Sequence, residues 1–218
     1  MYRYVVYQCP GAGGYFLSQI IASMLGINTA QKISNSGHMH DFGKGNWKQH
    51  DEICLCGDYW DELYRDECKI LAVHKGPLKK FKNNNKDVKV ILIHVDKEDY
   101  RKCTEMYVCK AFPDILKNQK NEYDKWKGED WPEYNDNIIE ESEFVKNEFI
   151  EGLLSQTMTW MENYDSSVVD YTVNFKTIMG VEGDIAQEVS KILNKPVNNE
   201  VIQLVKDYQE KNQGLYYV

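Results

Sequence analysis

The chain of 218 residues lacks any apolar run long enough to span a bilayer, for which about 20 consecutive apolar residues are needed. It also lacks an excess of positive charge. Lys and Arg number 26 against 34 Asp and Glu, which gives a formal net charge of −8. A general nucleic-acid-binding protein would carry a basic stripe. These absences predict a protein that acts neither in a membrane nor on nucleic acid.

Signals for export and for a structural metal are also absent. Residues 1–8 already alternate like a strand, with no charged leader before an apolar stretch, so we expect a cytoplasmic protein. The six cysteines are Cys9, Cys54, Cys56, Cys68, Cys103 and Cys109. Their irregular spacing, mostly within apolar stretches, predicts reduced and mostly buried thiols. The H-x-H and C-x-C pairs at 38–40 and 54–56 lack the spacing of structural zinc sites, so no metal is expected.

Segments typical of strands and of helices alternate along the chain. The strongest strand signal is the almost continuous apolar run 88–95, which suits a parallel strand buried on both faces. Further strands are predicted at 2–8, 53–56, 68–73 and 166–173, and helices at 15–25, 58–66, 99–112, 138–164, 184–193 and 199–211. This alternation predicts an α/β domain over residues 1–218, with a parallel sheet covered on both faces.

Two polar segments interrupt this pattern. Residues 117–137 have no clear period and are predicted to form an insertion or lid, whose tryptophans and tyrosines either line an acceptor pocket or pack it onto the body. Lys79, Lys80 and Lys82 are interpreted as a solvated loop. The strands at 2–8, 68–73 and 88–95 should be parallel neighbours, because ligands in such sheets bind at the carboxyl ends of strands, and the following loops should then share one cleft.

The most informative segment is the glycine-rich run Pro10-Gly11-Ala12-Gly13-Gly14-Tyr15-Phe16 between the first strand and the first helix. Glycines let the backbone approach an anion, and a helix N-terminus offers unpaired N–H groups and a partial positive charge. The N–H groups of Gly13, Gly14, Tyr15 and Phe16 are therefore expected to face an open concavity that binds phosphate. The alternative is a tight turn without a ligand. The run is neither a Walker A motif nor G-x-G-x-x-G.

This loop resembles the one that opens sulfotransferases using 3′-phosphoadenosine-5′-phosphosulfate (PAPS), which has the form P-K-S-G-T-T-W-L. The proline, the central glycine, the aromatic residue and the leucine all match in residues 10–17. Gly11 stands where the family has its lysine, and Gly14 and Tyr15 stand where it has two threonines. The resemblance implies that Gly11, Ala12 and residues 13–16 hold the 5′-phosphosulfate.

Three later segments continue the resemblance. Residues 69–78, which contain His74, are similar to the family's strand ending in T-H-x-P, whose histidine is the catalytic base in many members. Residues 90–99 resemble the strand ending in R-N-P-x-D, with His94 in place of the arginine that binds the 3′-phosphate. Lys102 and Cys103 lie near the family's phosphate-binding serine in the next helix. Residues 167–180 resemble the family's C-terminal strand and helix region.

The resemblance implies a P-loop NTPase-like, three-layer α/β/α fold with a parallel central sheet, of the sulfotransferase type. The implied reaction is transfer of a sulfuryl group from PAPS to a hydroxyl or amine of a small-molecule or glycan acceptor, with His74 as general base. Histidine suits this task because its ordinary pKa of about 6.5 lies near working pH. Two alternatives remain: a non-catalytic binding protein on the same fold, and a nucleotide- or phosphate-binding enzyme of another class, such as a divergent kinase.

Overall fold

The computed structural model describes residues 3–9, 11–27, 53–55, 70–73, 78–110 and 143–216. Its strands are β1 Arg3–Tyr7, β2 Ile53–Leu55, β3 Ile70–Val73, β4 Val88–His94 and β5 Tyr171–Asn174. Its α-helices are α1 Gly14–Leu25, α2 Leu78–Asn84, α3 Tyr100–Lys110, α4 Glu143–Asn163, α5 Phe175–Ile178, α6 Ile185–Leu193 and α7 Asn199–Tyr216. Single 3₁₀ turns lie at Lys97–Asp99 and Ser166–Val168. Each helix in these ranges is too short or too polar to cross a bilayer.

The five strands form one sheet in the order β2-β3-β1-β4-β5, and every neighbouring pair is parallel. Strand β1 lies at the centre, where Tyr7 pairs with Val73 of β3 on one side and with Leu92 of β4 on the other. The predicted α/β class and the predicted parallel pairing of these three strands are therefore confirmed. Their carboxyl ends meet at one edge of the sheet.

Side chains of β1 alternate between the two faces of the sheet, as the pleat requires. Tyr4 and Val6 belong to the larger core, which includes the buried face of α1 with Phe16 and Ile20. Val5 and Tyr7 belong to a second cluster on the opposite face, together with Leu78 of α2 and Val168. Apolar residues are thus buried on both faces of the sheet, which explains why β4 is apolar at every position from Val90 to Ile93.

Most predicted elements are present with ends shifted by a few residues, but two helices were not predicted. Helix α2 occupies residues interpreted as a solvated loop, and its Lys82 reaches across to the segment before β5. Helix α5 is a single turn after β5, capped by the Asn174 side chain, which accepts from the Lys176 N–H at 2.8 Å. The predicted helix 58–66 and the predicted insertion 117–137 lie outside the described residues.

Asp170 joins three parts of the second face. Its carboxylate accepts from Lys82 Nζ at 2.5 Å and from the Val90 N–H at 2.8 Å, and Lys89 Nζ lies 3.5 Å away. Its own N–H donates to the Val90 carbonyl at 2.9 Å. Burial raises the pKa of Asp170, but the bonds from Lys82 and Val90 outweigh it and hold the pKa below its ordinary value. The Asp170 carboxylate therefore connects α2 and the residues just before β5 to β4.

We predict that Asp170→Ala lowers the free energy of unfolding by about 2 kcal/mol, because charge-assisted hydrogen bonds to a buried backbone N–H and an ammonium are lost. Urea denaturation at neutral pH measures this change. Asp207→Ala is the control. That carboxylate is exposed on α7 and accepts from Gln203 of the same helix, so its loss should cost less than about 0.5 kcal/mol. Equal costs for the two variants would contradict the fastening role of Asp170.

Candidate functional site

The strand order predicts a ligand-binding crevice between the carboxyl ends of β1 and β4. The connection that leaves β1 leads to β2 on one side of the sheet, whereas the connection that leaves β4 leads to β5 on the other. Adjacent strands whose connections part in this way form a topological switch point, where open α/β sheets bind their ligands. The glycine-rich loop after Tyr7 and the residues after His94 therefore lie on either side of the expected binding crevice.

The loop turns sharply before it enters α1. Gly11 and Gly13 adopt φ values of 85° and 84°, a conformation that favours glycine. The Ala12 N–H donates to the Cys9 carbonyl at 3.2 Å, which closes a turn. Gly13 caps α1, and no acidic residue lies in the first turn of that helix. The positive end of the helix dipole is thus not offset by a local carboxylate.

The Gln8 side chain occupies part of this helix terminus. Its Oε1 atom accepts from the Gly14 N–H at 2.5 Å, and Gln8 is only 4% exposed. The expectation of an open concavity is therefore wrong for Gly14, because a carboxamide oxygen of the chain itself already binds this N–H. Within the described part of the chain, the N–H groups of Gly13, Tyr15 and Phe16 form no hydrogen bond. Three donors, rather than four, remain for an anion.

Helix α7 covers the outside of the loop. The Tyr208 ring stacks on Phe16 with a centroid separation of 3.7 Å and an interplanar angle of 4°. A Cβ atom at Gly13 would lie 3.0 Å from the Tyr208 hydroxyl and 2.9 Å from Ile178 Cγ2. Burial raises the pKa of Tyr208, so its hydroxyl stays protonated. The loop is thus packed between the sheet edge and the C-terminal helix.

On the β4 side of the crevice, charged residues form an ion-paired network around Lys176. Its Nζ lies 3.2 Å from Asp96, 2.5 Å from Glu98 and 3.5 Å from Asp99. His94 Nε2 lies 3.4 Å from Asp96 Oδ1. The three carboxylates could ligate a cation, since their oxygens lie within 4.8 Å of one another, but the ammonium already lies among them.

The network shifts the acid–base behaviour of its members. Burial raises the pKa of Asp96, but hydrogen bonds from Lys176 and Asn174 outweigh it and bring the pKa below its ordinary value. The hydrogen bond to Glu98 is the main cause that raises the pKa of Lys176. Asp96 and Lys176 therefore stay ionised at neutral pH. Three carboxylates around one ammonium give the network a formal negative charge.

The remaining predicted phosphate contacts are placed as follows. Cys103 on α3 is fully buried, and its Sγ lies 3.8 Å from Cys9 Sγ. The Cys103 thiol contacts Cys9 inside the core, on the side of the loop that is turned away from the crevice. It is therefore not positioned to contact a ligand there. Both cysteines are free thiols, and burial and the contact with Cys9 raise the pKa of Cys103. Lys102 is half-buried on the same helix, and His94 is half-exposed at the end of β4.

Cys54 of the C-x-C pair lies in β2, in register with Leu71 of β3. His38, His40 and Cys56 lie outside the described residues, as does the predicted base His74. Its predecessor Val73 ends β3 in register with Tyr7. Sequence reasoning missed Gln8, Lys176 and Tyr208. A polar residue at the end of an apolar strand was the available signal for Gln8, and helical spacing from Val201 and Leu204 was the signal for Tyr208. Neither pattern predicts the residue that the side chain contacts, which is Gly14 for Gln8 and Phe16 for Tyr208.

Comparison with protein-family models, curated proteins and solved structures yields no significant match for this chain. The strand order itself differs from both the Rossmann and the flavodoxin orders. The site is therefore characterised by its own geometry. A tight, glycine-rich loop follows β1, with three N–H groups that have no partner in the described part of the chain, and an acidic network follows β4.

The packing of α7 against the loop predicts that Gly13→Ala is more destabilising than Gly26→Ala. Both glycines have positive φ, which costs an alanine about 1–2 kcal/mol. Only Gly13 would also bring its Cβ against Ile178 and Tyr208, whereas nothing lies within 4 Å at Gly26. Overpacking adds about 1–3 kcal/mol. Urea denaturation of both variants tests this, and equal losses would show that the loop is not tightly covered.

The network around Lys176 predicts a pH-dependent contribution to stability. Asp96→Asn should lower the unfolding midpoint at neutral pH, because the carboxylate with the lowered pKa is lost. This contribution is present above the ordinary pKa of about 3.9 and is lost as the pH falls through the lowered value. The difference between wild type and variant should therefore shrink below pH of about 4. Glu148→Gln, an exposed change on α4, should show no such difference, and a difference that persisted in acid would contradict the assignment.

Proposed function

We propose that this protein binds PAPS at the carboxyl edge of the sheet and transfers its sulfuryl group to an acceptor hydroxyl or amine. The observation that carries the proposal is at the N-terminus of a twelve-residue helix, where the N–H groups of Gly13, Tyr15 and Phe16 have no hydrogen-bond partner among the described residues. A helix N-terminus without local carboxylates favours phosphate and sulfate groups. The resemblance of residues 10–17 to the sulfotransferase loop supports the choice of donor.

In the proposed reaction the acceptor, the donor and His74 each have a defined role. The acceptor oxygen or nitrogen attacks the donor sulfur, the bond between that sulfur and the bridging phosphate oxygen breaks, and the acceptor proton passes to His74. Adenosine 3′,5′-bisphosphate leaves with the negative charge. Because Gly11 replaces the family's lysine, the N–H groups of the loop have to stabilise that charge, as preorganised donors do in other group transfers.

Two features at the edge limit what the donor can contact. Cys103 is buried, so the 3′-phosphate contacts implied by the resemblance reduce to His94 and Lys102. His94 faces Asp96 at 3.4 Å, so a phosphate there would need the protonated imidazole. The loop on the β1 side therefore contributes most of the donor affinity.

A second candidate function is binding of the nucleotide without catalysis. Gln8 favours it, because its carboxamide oxygen binds the Gly14 N–H and thereby replaces one anion contact with an internal one. Gly11 favours it too, because no cation stands at the family's lysine position. The two functions share the same site and differ in whether sulfuryl transfer takes place.

We predict that adenosine 3′,5′-bisphosphate raises the thermal midpoint of the full chain and that ATP with magnesium does so less. At about 100 times the dissociation constant, the stabilisation should reach about 2.7 kcal/mol. With PAPS and an acceptor, His74→Ala should lower the transfer rate by about 10²–10⁴-fold and leave bisphosphate affinity nearly unchanged. His50→Ala is the matched control and should retain the rate.

The outcomes separate the candidates. Stabilisation by the bisphosphate together with a rate that depends on His74 supports sulfuryl transfer. Stabilisation without a rate for any acceptor assigns the non-catalytic function. Preference for ATP with magnesium, or no stabilisation by either nucleotide, contradicts the proposal of a PAPS site.

A further inference from the structure

Two cysteine thiols are in contact next to the glycine-rich loop. Cys9 and Cys103 are 94 residues apart in the chain, and their Sγ atoms are 3.8 Å apart. Both side chains are fully buried, and both are thiols rather than disulfide sulfurs. This contact differs from ordinary apolar packing, because it brings together the two groups that a disulfide joins.

The contact distance leaves a short path to a covalent bond. The two sulfur atoms of a disulfide are about 2.05 Å apart, so these atoms would have to approach by about 1.8 Å. Rotation about χ1 of a cysteine moves its sulfur atom on this scale. Cys9 comes two residues after Tyr7, the last residue of β1 that pairs with β3 and β4. Strand pairing therefore does not oppose a small shift of Cys9.

The two cysteines belong to different parts of the fold. Cys103 lies on α3, which packs on α4 and is joined to it by an ion pair between Arg101 and Glu151. Cys9 begins the turn that opens the loop, since its carbonyl accepts from the Ala12 N–H at 3.2 Å. A disulfide between them would attach the first residue of this turn to a helix that is anchored elsewhere.

Tyr208 connects the same pair to the far end of the loop. Burial raises the pKa of Tyr208, and the neighbouring Cys103 raises it further. The Tyr208 ring stacks on Phe16, and its hydroxyl would lie 3.0 Å from a Cβ atom at Gly13. Cys103 is thus adjacent to groups that contact both the start and the end of the loop, so a covalent change at this thiol acts on the loop conformation.

We propose that Cys9 and Cys103 form a reversible disulfide that holds the glycine-rich loop in place under oxidising conditions. The oxidant is hydrogen peroxide. The Cys9 sulfur attacks a peroxide oxygen and becomes a sulfenic acid, and one water leaves. The Cys103 sulfur then attacks the Cys9 sulfur, the sulfur–oxygen bond breaks and a second water leaves. Two thiols lose two electrons and two protons, and the peroxide is reduced to two waters.

Burial determines how fast this oxidation proceeds. The hydrogen bond with Cys9 and burial raise the pKa of the Cys103 thiol well above its ordinary value, so this thiol stays protonated and is a weak nucleophile at neutral pH. Peroxide reaches the pair during local opening of the loop, because neither sulfur atom is exposed. We therefore expect oxidation over minutes to hours. In a reducing compartment the pair stays reduced, and a disulfide formed there is transient.

The test oxidises the full chain without denaturant. The protein is incubated with micromolar hydrogen peroxide, the remaining thiols are blocked with N-ethylmaleimide, and a non-reduced digest is analysed by mass spectrometry. Peptides joined through Cys9 and Cys103 should appear and should separate on treatment with dithiothreitol. The thermal midpoint should rise by about 5 °C, because the crosslink closes a long segment of chain. Amide hydrogen exchange of residues 11–16 should slow.

Two variants separate this pair from the other thiols. Cys103→Ala removes one partner and should abolish the crosslink, the rise in midpoint and the slower exchange. Cys109→Ala is the matched control on the same helix and should retain all three effects. If Cys103→Ala fails to fold, Cys9→Ala takes its place, since either change removes the same bond.

A reversible crosslink between Cys9 and Cys103 that is accompanied by both physical changes supports the proposal. Three results overturn it: no such crosslink after oxidation, a crosslink from either residue to one of the other four cysteines instead, or a crosslink that leaves the midpoint and the exchange of the loop unchanged. No nucleotide or acceptor is present in these measurements, so their outcome is independent of the proposed function.

Discussion

The register of β1 is the constraint on which the candidate site depends. This strand is paired on both sides and buried on both faces, with Val5 and Val6 almost fully enclosed. A slip of one residue would exchange the faces of all its side chains. Gln8 would then turn away from Gly14, and Tyr7 would leave the second cluster, which contains Leu78 and Val168. The register of β1 thus fixes its packing in the core. It also determines that Gln8 points to the face of the glycine-rich loop and Tyr7 to the opposite face.

The loop after β1 is stabilised by groups of the chain itself. The Gln8 carboxamide oxygen accepts a hydrogen bond from the Gly14 N–H, and the Tyr208 ring stacks on the Phe16 ring. Such contacts hold the positive-φ turns at Gly11 and Gly13 in place without a ligand. They also connect the loop to α7, the last helix of the described chain. A loop held in this way offers an anion a preformed set of N–H groups, which lowers the ordering cost of binding.

The sequence predicted the parts of the structure that depend on local patterns. The apolar run 88–95 indicated a strand buried on both faces, and the spacing of Phe16, Ile20 and Met24 indicated the buried side of α1. Helix α2 was missed because its lysines and asparagines have no apolar period, and it is fixed by Leu78 and by the tertiary contact of Lys82 with Asp170.

For the site, the loop and its place at the sheet edge follow from glycine spacing and strand order. The side-chain contacts within the site could not be predicted in this way. Gln8 with Gly14, Tyr208 with Phe16 and Lys176 with Asp96 each join residues whose proximity comes from packing, and no local pattern encodes it. The same holds for Cys103. The resemblance placed this residue near the phosphate-binding serine of the family, whereas the packing of α3 places its thiol against Cys9 in the core.

The carboxyl edge of the sheet carries charge of opposite sign next to β1 and next to β4. Over β1, the N–H groups of the loop present partial positive charge with no carboxylate in the first helical turn. Over β4, three carboxylates share one ammonium, and protonation of His94 still leaves an excess of one negative charge. An anion at this edge is therefore stabilised next to β1 and repelled next to β4. Under the proposed function, the donor would bind with its transferable end at the loop, because, of these two halves of the edge, the loop is the one with N–H groups and no carboxylate beside them. A 3′-phosphate held by His94 and Lys102 would lie close to Asp96, so its contribution to the affinity of the proposed donor should be small.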